Sequence, residues 1–157
     1  MTDSDIPVRV VADADVLAAD LLVGGDARAA LDLVRSHDWI QLVASEALLD
    51  DAQAVIETLS EGTLAATWRE HMEELADVIS QPEAAEAGFV TAVTGDAPHL
   101  LSFDERLTTA GTNVSLQGRA DLIIRRPAAF VAVFDPETVY EALAGEPYPG
   151  PDSDPRD

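Results

Sequence analysis

Cysteine is missing from this chain, and so is lysine: all nine basic residues are arginines. Without thiols there are no disulfides and no thiolate metal sites. Without lysine, neither a Walker-type phosphate loop nor a receiver-type phospho-acceptor site can be completed. Long apolar runs are missing too, and none approaches the roughly 20 residues needed to span a membrane. Positive charge is scarce: 30 acidic residues face 9 basic ones, for a net charge of -21 and a pI near 4.1. Such a surface repels nucleic acid at low salt. In molar salt the Debye length falls to about 3 Å, so the acidity then weighs only weakly against a nucleic-acid partner.

What is present fits one folded domain. The 157 residues suffice for a real core, and 47% apolar content excludes an acidic disordered chain. Acidic surfaces of this kind keep proteins soluble at very high salt, which favours a halophile over the plainer reading of an acidic protein from an ordinary cell. The acidic, polar start Met1-Thr2-Asp3-Ser4-Asp5 is unlike a secretory signal, so a cytoplasmic location is expected. Residues 1–144 are expected to form the domain and 145–157, rich in Pro, Gly and Asp, a disordered acidic tail.

Apolar periodicity predicts alternating strands and helices. Strands are expected at Val8–Ala12, Trp39–Val43, His99–Ser102, Asn113–Leu116 and Leu122–Ile124. Helices are expected over Val16–Leu22, over Ala27–His37 capped by Asp26, and from a Ser45 cap to about Leu59. Further helices are expected over Leu64–Ile79, Pro82–Val93, Pro127–Phe134 and Pro136–Leu143, with Gly62 as a break. This alternation predicts a three-layer α/β/α domain with a mostly parallel central sheet.

Four acids stand where such folds place chemistry. Asp13, Glu46 and Asp104 each follow a strand-like segment, and Glu86 lies in a helical stretch. Converging carboxylates repel one another and are tolerated mainly around a hard cation such as Mg²⁺ or Mn²⁺. Glu86 shares a helix face with Phe89 and Val93, a costly place for a charge unless it is paired or metal-bound. Simpler roles compete: Asp15 as an N-cap, Glu46 as a dipole-favoured first-turn acid, Glu86 at a face edge reaching solvent, and Asp104 as a cap. Glu83 is the fallback for Glu86, and Asp96 reads as a turn residue. Ser102 could orient a carboxylate or a metal-bound water. His37, His71 and His99 lack ligand spacing, and Trp39 and Trp68 read as packing residues.

Together these segments resemble the PIN-domain family of metal-dependent ribonucleases. Val10-Val11-Ala12-Asp13-Ala14-Asp15-Val16-Leu17 is similar to that family's opening Asp-x-Asn-x-Leu-type motif. Val43-Ala44-Ser45-Glu46-Ala47-Leu48 resembles its Ser-Glu helix start, and Leu100-Leu101-Ser102-Phe103-Asp104-Glu105-Arg106-Leu107 its Thr/Ser-x-Asp-x-x-Leu block. Arg126-Pro127-Ala128-Ala129-Phe130 resembles its closing Pro-x-x-Phe helix, so the likeness covers residues 8 to 134. Two positions depart from the pattern: Asp15 replaces a polar Asn or Ser, and Glu86 replaces an Asp, adding a methylene of about 1.5 Å reach.

The resemblance implies that Asp13, Glu46, Glu86 and Asp104 hold Mg²⁺ or Mn²⁺ and catalyse RNA phosphodiester hydrolysis, with Asp15 and Ser102 in support. Arg106 would then touch a phosphate or, more simply, a neighbouring acid. It also implies partners: an RNA substrate, an antitoxin if the chain is a VapC-type toxin, and a second copy, since dimers are common in the family. The rivals are a catalytically degenerate PIN-like module that binds a protein or RNA, and a flavodoxin-like or receiver-type domain.

Overall fold

A computed structural model of the chain describes residues 8–37, 39–60, 62–79, 91, 92, 94, 95, 97–103 and 123–151. These residues form an α/β fold in three layers, with a five-stranded sheet flanked by six helices. The order is β1 (Val8–Ala12), α1 (Ala14–Leu22), α2 (Gly25–Arg35), β2 (Ile40–Ser45), α3 (Glu46–Leu59) and α4 (Gly62–Leu75). Then follow β3 (Asp77–Ile79), β4 (His99–Leu101), β5 (Ile123–Arg125), α5 (Pro127–Val133) and α6 (Pro136–Ala144).

All strand pairs are parallel, in the order β3-β2-β1-β4-β5. Parallel strands covered on both faces read as continuous apolar runs. Val10, Val11, Leu42, Val43, Leu100 and Ile124 accordingly lie in the core. The order also separates this fold from the flavodoxin-like and receiver-type alternative, whose strands run 2-1-3-4-5. Here β1 lies between β2 and β4, and β3 pairs with β2 instead.

Local chemistry accounts for several boundaries. Asp13 rather than Asp15 caps α1, its carboxylate accepting from the Ala14 N–H at 2.9 Å. Gly24, at φ 87°, caps α2 without a side chain, so Asp26 falls inside the first turn instead of capping it. The helix expected over Leu64–Ile79 instead begins at Gly62 and stops at Leu75. Asp77-Val78-Ile79 pairs along β2 as an edge strand, because two β-branched residues there continue the sheet and Arg9 ties down Asp77 at 2.9 Å. The expected strand at 113–116 and helix at 82–93 fall outside the described residues, apart from a helical turn at Thr91 and Ala92.

Two polar anchors hold the helical layer. Arg35 of α2 grips Asp20 of α1 through two bonds of 2.8 and 2.9 Å, with Asp20 only 6% exposed. Burial disfavours the Arg35 charge, but its hydrogen bonds to Asp20 and Asp32 more than offset this and hold its pKa above the usual value. Residues 145–151, the first part of the expected tail, fold back: Tyr148 bonds His37 through its hydroxyl, and its N–H donates to Glu141 at 3.1 Å. Trp39 and Trp68 are buried, and Trp39 stacks on Phe134.

Candidate functional site

The chain leaves β1 toward β2 and β3, then returns across β1 to build β4 and β5. Loops following β1 and β4 therefore diverge, and the gap between them is where open parallel sheets bind ligands. Asp13 sits there. Its N–H extends the sheet by donating to the Leu101 carbonyl at 2.8 Å, and its carbonyl accepts from Leu17 at 3.0 Å. This backbone leaves its half-buried carboxylate at the strand end.

Ser102 stands on the other lip, wholly buried, with its N–H bonded to the Arg125 carbonyl at 3.0 Å. Its hydroxyl donates to Asp13 Oδ2 at 3.2 Å. Beside it the Phe103 N–H donates to Asp15 Oδ2 at 3.1 Å. Two aspartates on the β1–α1 turn are thus tied to two residues after β4. Phe103 itself is 36% exposed at the mouth.

The end of β2 supplies the next element. Ser45 is buried and caps α3, its hydroxyl accepting from the Leu48 N–H at 3.1 Å. The same oxygen is 2.8 Å from the buried Thr91 hydroxyl. Glu46 follows, exposed in the first turn of α3, and its carboxylate is ion-paired with Arg69 of α4. Arg69 also holds Asp50 at 2.8 Å and Glu73 at 3.1 Å. Burial disfavours its charge, yet the bonds to Asp50 and Glu73 prevail and raise its pKa.

A sequence profile for a family of unknown function, DUF7384, matches residues 4–156. The chain belongs to DUF7384. No curated protein matches it.

In this DUF7384 chain, Asp13, Asp15 and Ser102 come together, whereas Glu46 turns to Arg69. Glu86 and Asp104 lie outside the described residues, as do Glu83, Asp96 and Arg106. Among the described residues, no three His, Asp or Glu side chains form a group that could hold a metal ion. None of the described helices is long and apolar enough to cross a membrane.

The sequence reading missed two members of this region. Arg69 was legible only as one cation on an acidic helix, and its reach across to α3 depends on how α3 and α4 pack. Thr91 carries no local signal at all; its role comes from the 46-residue separation that folding closes onto Ser45.

Proposed function

We propose that this protein is a PIN-like, metal-dependent endoribonuclease acting at the β1–β4 crevice. The observation that carries the reading is Asp13, a carboxylate fixed at the switch point of a doubly wound sheet by the Ser102 hydroxyl. Its oxygen-rich surroundings suit Mg²⁺ or Mn²⁺, which favour hard carboxylate and hydroxyl donors. Asp13 would hold such an ion together with Glu46, Glu86 and Asp104. When bound, the ion lowers the pKa of an attacking water and stabilises charge on the phosphate.

The chain's own residues have separate tasks. Ser102 keeps the Asp13 carboxylate in one orientation, and Asp15 fastens the Phe103 backbone at the crevice mouth. Phe103, exposed there, offers an aromatic face on which an unpaired RNA base could stack. An RNA substrate agrees with the net charge of -21 only where salt screens it, which fits a salt-rich cytoplasm. A toxin role with an antitoxin partner, and a homodimer, follow from the same resemblance.

One observation favours a second reading, a non-catalytic PIN-like module binding protein or RNA. Glu46 is already neutralised by Arg69 and so is not poised for a metal.

Thermal melting in about 2 M KCl, with and without Mn²⁺, separates the two. Ligands that bind only the native state raise its melting temperature. A Mn²⁺-dependent rise in wild type that disappears in Asp13→Asn, followed by cleavage of single-stranded RNA, supports the nuclease. Absence of any rise, with no cleavage, leaves the binding module. Melting repeated across a KCl series tests the halophile reading, because full stability in low salt removes it.

A further inference from the structure

A cavity of about 700 Å³ lies between the sheet and α6. Val8, His99 and Ile123 form its floor, and Phe134, Val139 and Leu143 its wall. The three floor residues begin β1, β4 and β5, whereas Asp13 and Ser102 follow the opposite ends of β1 and β4, and none of Asp13, Asp15 and Ser102 lines the cavity. Its volume falls within the range of small-molecule sites, roughly 300–1,000 Å³. Its lining is mainly apolar, and two of its residues, Val133 and Leu143, are 59% and 51% exposed. Together with the apolar floor and wall they give an apolar ligand a concave surface to cover.

Two polar side chains line the same space with binding capacity unused. Among the described residues Arg125 makes no side-chain hydrogen bond or ion pair, although the chain carries 30 acids to nine arginines. Four other described arginines are engaged: Arg9 with Asp77, Arg28 with the carbonyls closing α1, Arg35 with Asp20, and Arg69 with Glu46. The buried Nδ1 of His99 also has no partner. Burial first, and then the Arg125 charge, push the His99 pKa down to about 4, so its ring is neutral at pH 7 and can donate one N–H. Buried polar groups normally find partners.

We propose that this cavity binds a monocarboxylate with an apolar tail, its head on Arg125 and its tail between the sheet and α6. The guanidinium fork matches a carboxylate in two parallel hydrogen bonds. A single negative charge suits one unpaired arginine in a chain of net charge -21, where a doubly charged phosphate head meets more repulsion. The inference does not depend on the nuclease reading.

Octanoate is the probe, titrated by calorimetry into the full chain in about 2 M KCl, with uncharged octanamide as its isosteric control. Octanoate should bind saturably, and Arg125→Gln should weaken it at least tenfold while changing octanamide by less than about twofold. Val139→Trp, which fills the cavity, should abolish binding of both. Trp39 emission should change on binding, because Trp39 stacks on the cavity residue Phe134 with ring centroids 6.3 Å apart. Equal octanoate affinity in wild type and Arg125→Gln, or no saturable binding at all, overturns the proposal. So does a dimer in wild type that Val139→Trp converts to monomer without octanoate having bound, since a second copy then occupies the cavity.

Discussion

The Ser102 hydroxyl donates to Asp13 Oδ2 at 3.2 Å, joining residues 89 positions apart at the ends of two adjacent parallel strands. This bond spans the crevice and sets the direction of an expected ligand carboxylate that is half-buried at a strand end. Removing an orienting partner of a metal ligand typically weakens metal binding 10–100-fold. Ser102→Ala should therefore lower Mn²⁺ affinity by about tenfold or more while the metal-free fold survives. Mn²⁺ titration by calorimetry, paired with circular dichroism, checks both halves of that expectation.

On the nuclease reading, Arg69 would compete with a metal for the Glu46 carboxylate. Arg69→Met keeps most of the side-chain packing and releases the carboxylate. Its acidic partners are largely exposed, so stability should change by no more than about 1 kcal/mol. Mn²⁺ affinity should rise severalfold by titration, and a fall would show that Arg69 positions Glu46 rather than withholding it.

The Arg35–Asp20 pair locks α1 to α2 from a buried position. Breaking a buried pair from one side strands the other charge and costs about 3–5 kcal/mol. Asp20→Ala should approach that loss in denaturant unfolding, and Asp32→Ala should lose clearly less, because Arg35 would keep both bonds to Asp20.

His99 links stability to pH. Its folded pKa is about 4 against an unfolded 6.5, so the unfolded chain binds the extra proton between those values. Stability contributed by the neutral ring is fully present above pH 6.5 and is lost as pH falls toward 4. The full shift corresponds to about 3 kcal/mol. Unfolding of wild type and His99→Phe at pH 7 and pH 4 should show wild type losing more stability on acidification, by an amount of that order. Parallel losses would mean that His99 does not titrate in this window.

Gly95 lies where the turn after Thr91 packs on β2 and β3. A Cβ there would stand 3.0 Å from Val43 Cγ1, 3.1 Å from Ile79 Cδ1 and 3.1 Å from the Thr91 carbonyl. Gly95→Ala should cost about 1–3 kcal/mol by overpacking, measured by thermal unfolding, and an unchanged melting temperature would mean the turn shifts freely.

Local signals carried far in this chain. The apolar runs at Val8–Ala12 and Ile40–Ser45 are short and bounded by turn signals, as strands of a doubly covered parallel sheet are. The Ser45 cap and Pro127 and Pro136 at helix starts were legible for the same local reason. Asp77–Ile79 was not, because three residues after a long helix can continue it, and only the open edge of β2 decides otherwise.

Composition and local spacing determined the fold class, the lack of thiol and lysine chemistry, and the acids that follow strands, since each of these depends on a residue and its near neighbours. The tertiary structure decided what each side chain meets: Ser102 bonded to Asp13, Glu46 drawn to Arg69, and Arg125 left beside an apolar cavity. Those outcomes depend on strand order and helix packing, which bring together groups dozens of residues apart, and no short-range pattern encodes them.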